Sequence, residues 1–135
     1  MMRMSDLLLR TAIAILVCVQ ISNAQMPDEE VDHAPPISMI TLIAEPTAKN
    51  PQRVQVAGFL VLDFEGEALY LHEEDYRHGL TRNAIRVALT PDQMNRYKDL
   101  ARTYVWVQGS FRKRRASEDL FSGSLFDIRE IRKAH

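Results

Sequence analysis

Residues 53–64 constrain this chain more than any other stretch. Val54, Val56, Leu60, Leu62 and Phe64 fall on one face of a strand at period two, and Gly58 shares that face. Beyond the glycine the pattern changes, because Phe59 and Val61 make the opposite face apolar as well. A strand that is one-sided in its first half and two-sided in its second suits a sharply curled sheet. Gly58 permits a bend or bulge, and the strand then serves two halves of a core. Glu65 and Gly66 start a turn, and residues 68–71 return as a second strand. This hairpin is the firmest local structure in the sequence.

Around it, the punctuation sets an order of elements. Residues 37–44 read as a short helix capped by Ser38, with Ile37, Ile40, Leu42, Ile43 and Ala44 on one side and a strand as the competing reading. Pro46 ends it. The polar segment 72–81 holds one or two helical turns closed by Gly79 in the left-handed region. Residues 84–89 form a third strand, with Ile85, Val87 and Leu89 inward and Arg86 outward. Thr90, Pro91, Asp92 and Gln93 make a strong helix start: a cap, a proline at the first helical position, an acid at the positive end of the dipole and a capping-box partner. Met94, Tyr97, Leu100 and Ala101 give that helix one apolar stripe, and it runs to about Arg102. Residues 104–111 are a fourth strand, with Val105, Val107, Gly109 and Phe111 on one face and Trp106 on the other. Residues 112–118 are a basic loop, and 124–131 a fifth strand. In the fifth strand Phe126 and Ile128 alternate but Ile131 is out of phase, which predicts a bulge near Arg129. Five strands with a helix between the third and fourth favour a small barrel over a sandwich. The fold class is mainly β, with two short helices.

The ends say where such a domain works. Arg3 and Arg10 precede an apolar run of about eleven residues, followed by Ser22, Asn23 and Ala24. That run is too short for a membrane-spanning helix, which needs roughly 20 residues. It has the layout of a signal peptide cut after Ala24, so the expected address is periplasmic or secreted. Residues 25–36 hold Asp28, Glu29, Glu30, Asp32 and three prolines, and read as an acidic flexible leader. Residues 37–135 are the domain. Cys18 is the sole cysteine and is lost with the signal peptide, so no disulfide, thiol nucleophile or thiolate metal site is expected. Without Arg3, Arg10 and Asp6, 15 basic residues face 17 acidic ones. Bulk charge therefore argues for neither nucleic acid nor an anionic membrane.

Residues 54–71, the helix at 90–101 and Tyr104-Val105-Trp106-Val107-Gln108-Gly109 together resemble an OB-fold barrel. The chain is similar to a group of uncharacterised bacterial exported or lipoprotein-like domains. The likeness rests on Gly58-Phe59-Leu60, on Ala68-Leu69-Tyr70-Leu71, on an acidic stretch ending in Gly79, and on Leu120-Phe121-Ser122-Gly123-Ser124-Leu125. It spans residues 37–132. The resemblance implies a fold and no activity, since OB folds host oligonucleotide, oligosaccharide and protein binding.

Two groups of side chains stand out as candidate sites. His72, Glu73, Asp75 and His78 are nitrogen and oxygen donors on one short segment, a weak metal candidate. The two histidines are six apart, so the zinc-protease pattern is absent. Arg112, Lys113, Arg114 and Arg115 form the sharpest charge run, and with Trp106 and Tyr70 nearby they make a weak partner-binding candidate. No nucleophile elbow, phosphate-cradling loop or haem motif occurs, and no cofactor is expected. The leading expectation is a non-enzymatic binding or accessory module of the envelope whose partner is a protein or glycan. The alternatives are a small metal-binding or hydrolytic protein built on residues 72–78, and a single-stranded nucleic-acid binder.

Overall fold

A computed structural model of the chain describes residues 34–45, 51–63, 66–114 and 120–135. The segment read as a signal peptide, the acidic leader up to residue 33, Pro46 and the turn residues 47–50, Phe64 and Glu65 of the hairpin, and residues 115–119 of the basic loop lie outside the described residues. In chain order the elements are α1 (Met39–Ala44), β1 (Gln52–Asp63), β2 (Gly66–Tyr70), α2 (Glu73–Arg77), a 3-10 turn (Thr81–Asn83), β3 (Ala84–Val87), α3 (Pro91–Tyr97) continuing as a 3-10 turn (Lys98–Leu100), β4 (Tyr104–Lys113) and β5 (Gly123–Lys133). Among the described residues no helix is long and apolar enough to cross a membrane.

The strands close into a barrel in the order β1-β2-β3-β5-β4. All pairings are antiparallel except β3 with β5, which run parallel. A closed five-stranded barrel with a helix between its third and fourth strands is OB-fold-like. The mainly β barrel expected from the sequence is what the chain forms, with three short helices where two were expected.

β1 is long because it closes the barrel twice. Its first half pairs with β4, from Gln52 opposite Phe111 to Phe59 opposite Tyr104. Its second half pairs with β2, from Phe59 opposite Tyr70 to Asp63 opposite Gly66. The apolar pattern follows this division. Val54, Val56 and Leu60 enter the barrel core with Leu69, Ile85, Val87, Val105, Val107, Phe111 and Leu125. Phe59 and Val61 enter a second cluster on the outer side with Ala68, Tyr70 and Ala84.

Gly58 sits at the crossover for a steric reason. A Cβ there would lie 2.6 Å from the Tyr70 carbonyl oxygen and 2.7 Å from both Leu69 Cγ and Met39 Cε. The strand can therefore turn tightly while α1 inserts Met39 against its bare backbone.

α1 begins at Ser38, whose hydroxyl accepts the Ile40 N–H at 3.2 Å. Its buried face is Met39 and Leu42, one turn apart, while Ile40 is 59% exposed. The stripe expected from the sequence is thus rotated. The rotation follows from how the chain enters the helix. Gln55 N–H donates to the Pro35 carbonyl, and Ile37 N–H donates to the Gln55 carbonyl. Pro35 and Pro36, the last residues of the segment read as leader, are thereby held along β1. At the other end of α1, Lys113 Nζ donates to the Glu45 carbonyl.

α3 carries the expected capping box. Thr90 Oγ1 accepts the Gln93 N–H at 3.2 Å, and Gln93 Oε1 accepts the Thr90 N–H at 3.1 Å. Gln93 Nε2 also donates to the Ile128 carbonyl at 2.9 Å, tying the cap to β5. The helix tightens after Tyr97 and stops at Leu100, short of Arg102. Tyr97, Leu100 and Leu89 pack partly buried against the barrel core.

The bulge in β5 is present. Gln108 faces Glu130 while Ser110 faces Phe126, so residues 127–129 oppose Gly109 alone. Asp127 takes φ 48°, a left-handed conformation that Asp tolerates better than most residues. The bulge turns Leu125, Ile128 and Ile131 all inward. It also moves Phe126 off the face of Ile128, where simple alternation had placed it.

Candidate functional site

The segment 72–78 is a tied-down helical turn. Asp75 is buried and fully engaged: Oδ2 accepts the His72 N–H at 3.0 Å, and Oδ1 accepts from Asn83 Nδ2 at 2.8 Å. Glu73 and Glu74 turn to Arg77, with Nη2 2.7 Å from Glu73 Oε1 and Nη1 3.4 Å from Glu74 Oε1. His78 lies 3.6 Å from Glu74. The four candidate ligands, His72, Glu73, Asp75 and His78, are therefore not brought to one point. Among the described residues no group of three His, Cys, Asp or Glu is arranged to hold a metal.

α2 instead acts as a cover. In OB folds the outer face of the second and third strands is the usual ligand surface. Here the corresponding face carries Phe59, Val61, Ala68, Tyr70 and Ala84, all buried, with Tyr76 and Phe121 packed over them. The rings meet mostly edge-on: Tyr70 to Tyr76 at 5.5 Å, Tyr70 to Phe121 at 6.5 Å and Phe59 to Tyr104 at 5.4 Å between centroids. Such contacts add to area burial. Polar groups clamp the rim. Tyr76 OH donates to Asp63 Oδ2 at 2.7 Å, Arg102 Nη2 donates to Tyr76 OH at 3.2 Å, and Glu73 N–H donates to Tyr104 OH at 3.2 Å. Tyr70, a sequence candidate for partner binding, is thus 7% exposed and inside this sealed patch.

The clamp is pH-dependent. The hydrogen bond to Asp63 raises the Tyr76 pKa above its ordinary value of 10.0, burial and the Asp63 charge push the same way, and Arg102 opposes them. Burial, with Tyr76 and Asp63 nearby, raises Tyr70 as well. A tyrosine whose folded pKa is raised contributes stability that is complete below about pH 10 and lost as pH climbs through the folded value. Wild type is accordingly expected to lose stability above about pH 10 more steeply than Tyr76→Phe, which has no proton to lose there. Urea titrations of both proteins at pH 8 and at about pH 11 check this. Parallel losses would remove the clamp from the account.

With one face sealed, the outer face of β1, β4 and β5 is the one that no other element covers among the described residues. Val105, Val107, Gly109 and Phe111 point into the barrel, so Trp106, Gln108, Ser110 and Arg112 point out. The register lays them in rows across three strands. Ala57, Trp106 and Arg132 form one row, Gln55, Gln108 and Glu130 the next, and Arg53, Ser110 and Phe126 the third. Guanidinium groups lie over both aromatic rings. Arg132 Cζ is 5.8 Å from the Trp106 centroid, and Arg112 Cζ is 4.5 Å from the Phe126 centroid. Asp127 sits between Arg53 at 3.6 Å and Arg129 at 3.8 Å.

The described residues of the basic run point to different places. Arg112 joins this face, Lys113 turns to the end of α1, Arg114 is exposed with its N–H on the Ser122 carbonyl, and Arg115 lies outside the described residues. Of the sequence candidates, Trp106 and Arg112 share a face. Arg132 and Phe126 complete it and escaped notice, because the bulge hides their alternation. No protein-family model matches the chain, and no curated protein matches it.

Proposed function

We propose that this chain is an exported, non-enzymatic binding module of the bacterial periplasm or cell envelope, whose protein or glycan partner docks on the outer face of β1, β4 and β5. One observation carries the reading. The face that OB folds commonly use for ligands is filled by the chain's own Phe59, Tyr70, Tyr76 and Phe121, while the opposite side presents Trp106 and Phe126 beneath guanidinium groups. Aromatic and arginine side chains are the residue types enriched at the energetic centres of interfaces. The address rests on the charged and apolar layout of residues 1–24.

The single-strand reading has less support. Stacking of bases needs open rings, and Phe59 and Tyr70 are internal. The metal reading would need Asp75 to abandon two hydrogen bonds.

Trp106 is the only tryptophan, so its emission reports on this face without a label. Full-length protein is expected to retain a defined partner from an envelope fraction, and that partner is expected to shift Trp106 emission. Trp106→Ala with Arg132→Gln should abolish retention, whereas Glu74→Gln on α2 should not. Retention of nothing, or of the same partner by both variants, counts against the proposal.

A further inference from the structure

We infer that the outer face of β4 and β5 is a docking site for an acidic, extended segment of a partner protein, with Arg112 and Arg132 as its two carboxylate-binding positions. This inference rests on the binding-module reading and names its partner class.

Charge is the first support. The chain as a whole is slightly acidic, yet β4 and β5 carry Arg112, Lys113, Arg129, Arg132 and Lys133 against only Asp127 and Glu130. Asp127 is drawn to Arg53 and Arg129. Among the described residues no ion pair engages Arg112 or Arg132, the two arginines of this face whose guanidinium groups lie over its rings. The Arg112 Nε is buried with no hydrogen-bond partner.

The ring contacts favour an acidic protein over a neutral glycan. A sugar or a base would be gripped by stacking on a bare ring. Here Trp106 and Phe126 each lie under a guanidinium. What this face offers is a guanidinium within 6 Å of each ring, and guanidinium N–H groups match the two oxygens of a carboxylate.

Spacing makes the site specific. Arg132 stands opposite Trp106, and Arg112 is six residues farther along β4. At about 3.4 Å per residue the backbones at these two positions are roughly 20 Å apart. An extended segment laid along β4 has the same pitch, so acids about six residues apart on one side meet both arginines. Acids three apart point to opposite sides and meet only one.

Two synthetic peptides of identical composition test this on the full-length protein, read by Trp106 emission and by peptide anisotropy. One carries its glutamates about six residues apart and the other about three. The wide spacing is expected to bind about fivefold more tightly, and equal affinities would overturn the site. Arg112→Gln with Arg132→Gln should weaken the wide peptide about tenfold, as two exposed ion pairs are lost. Arg77→Gln with Arg96→Gln, equal in charge and carried by α2 and α3 rather than by the sheet, should leave it unchanged. A loss common to both pairs overturns the inference in favour of bulk charge. Tighter binding of polygalacturonate or a thymidine oligonucleotide, with displacement of the peptide, overturns the acidic-protein class. In that case the binding-module reading still holds, because retention of a partner through Trp106 is measured separately.

Discussion

Gly58→Ala is expected to cost about 3 kcal/mol of folding stability, the upper part of the usual range for overpacking a filled core. The added methyl would meet the Tyr70 carbonyl oxygen at 2.6 Å, and Leu69 Cγ and Met39 Cε at 2.7 Å. A side-chain terminus such as Met39 Cε can swing away. The Tyr70 oxygen cannot, because it belongs to the β1–β2 ladder where Phe59 faces Tyr70. Relief must therefore come from separating the strands or expelling α1, and either loosens both cores together. Denaturant unfolding of the single variant gives the cost. The double variant with Met39→Ala shows its origin, since removing Met39 Cε relieves one clash and should leave the pair less unstable than the sum of the singles. A loss below about 0.5 kcal/mol for Gly58→Ala, the level of an ordinary surface change, would show that β1 does not make this close approach.

Leu42→Ala is expected to cost about 3 kcal/mol, whereas Ile40→Ala, two residues away, should stay within about 0.5 kcal/mol. Leu42 is wholly buried among the barrel side chains and Ile40 is 59% exposed. The two residues have similar volume and sit in the same short helix, so propensity and length cannot separate them. Only the rotation of α1 can. That rotation is held from outside the helix, by the Pro35 and Ile37 hydrogen bonds to Gln55. Equal costs at the two positions would mean that α1 packs with the stripe read from the sequence, and the inserted plug of Met39 and Leu42 would be lost from the account.

The same contrast runs through the candidate sites. Residues 72–78 are the densest set of metal-ligand types in the chain, yet position in sequence does not say whether side chains converge. The fold spends Asp75 on the backbone of His72 and on Asn83, and spends both glutamates on Arg77. The four consecutive cations at 112–115 look like a single feature on paper. In a strand, neighbours point to opposite sides, so Arg112 joins Phe126 while Lys113 reaches α1. Trp106 could be placed outward from Val105 and Val107 alone. Its partner Arg132 could not, because three residues of β5 oppose one of β4 between them and the start of that strand.

From the sequence alone came the β1 strand with its change from one apolar face to two, the capped α3, the bulge near Arg129 and the barrel class. These are local facts: periodicity states which side a residue faces, and cap residues state where a helix starts. The tertiary structure alone decided why Gly58 is bare, which side of α1 is inside, and which outer face of the barrel is covered by the chain's own rings. Each of these depends on what a distant segment presses against that spot. Met39 reaches Gly58 from α1, and Tyr76 on α2 and Phe121 before β5 close the β1–β2–β3 face from distant points of the chain. No periodicity within a strand encodes the neighbour that will cover it.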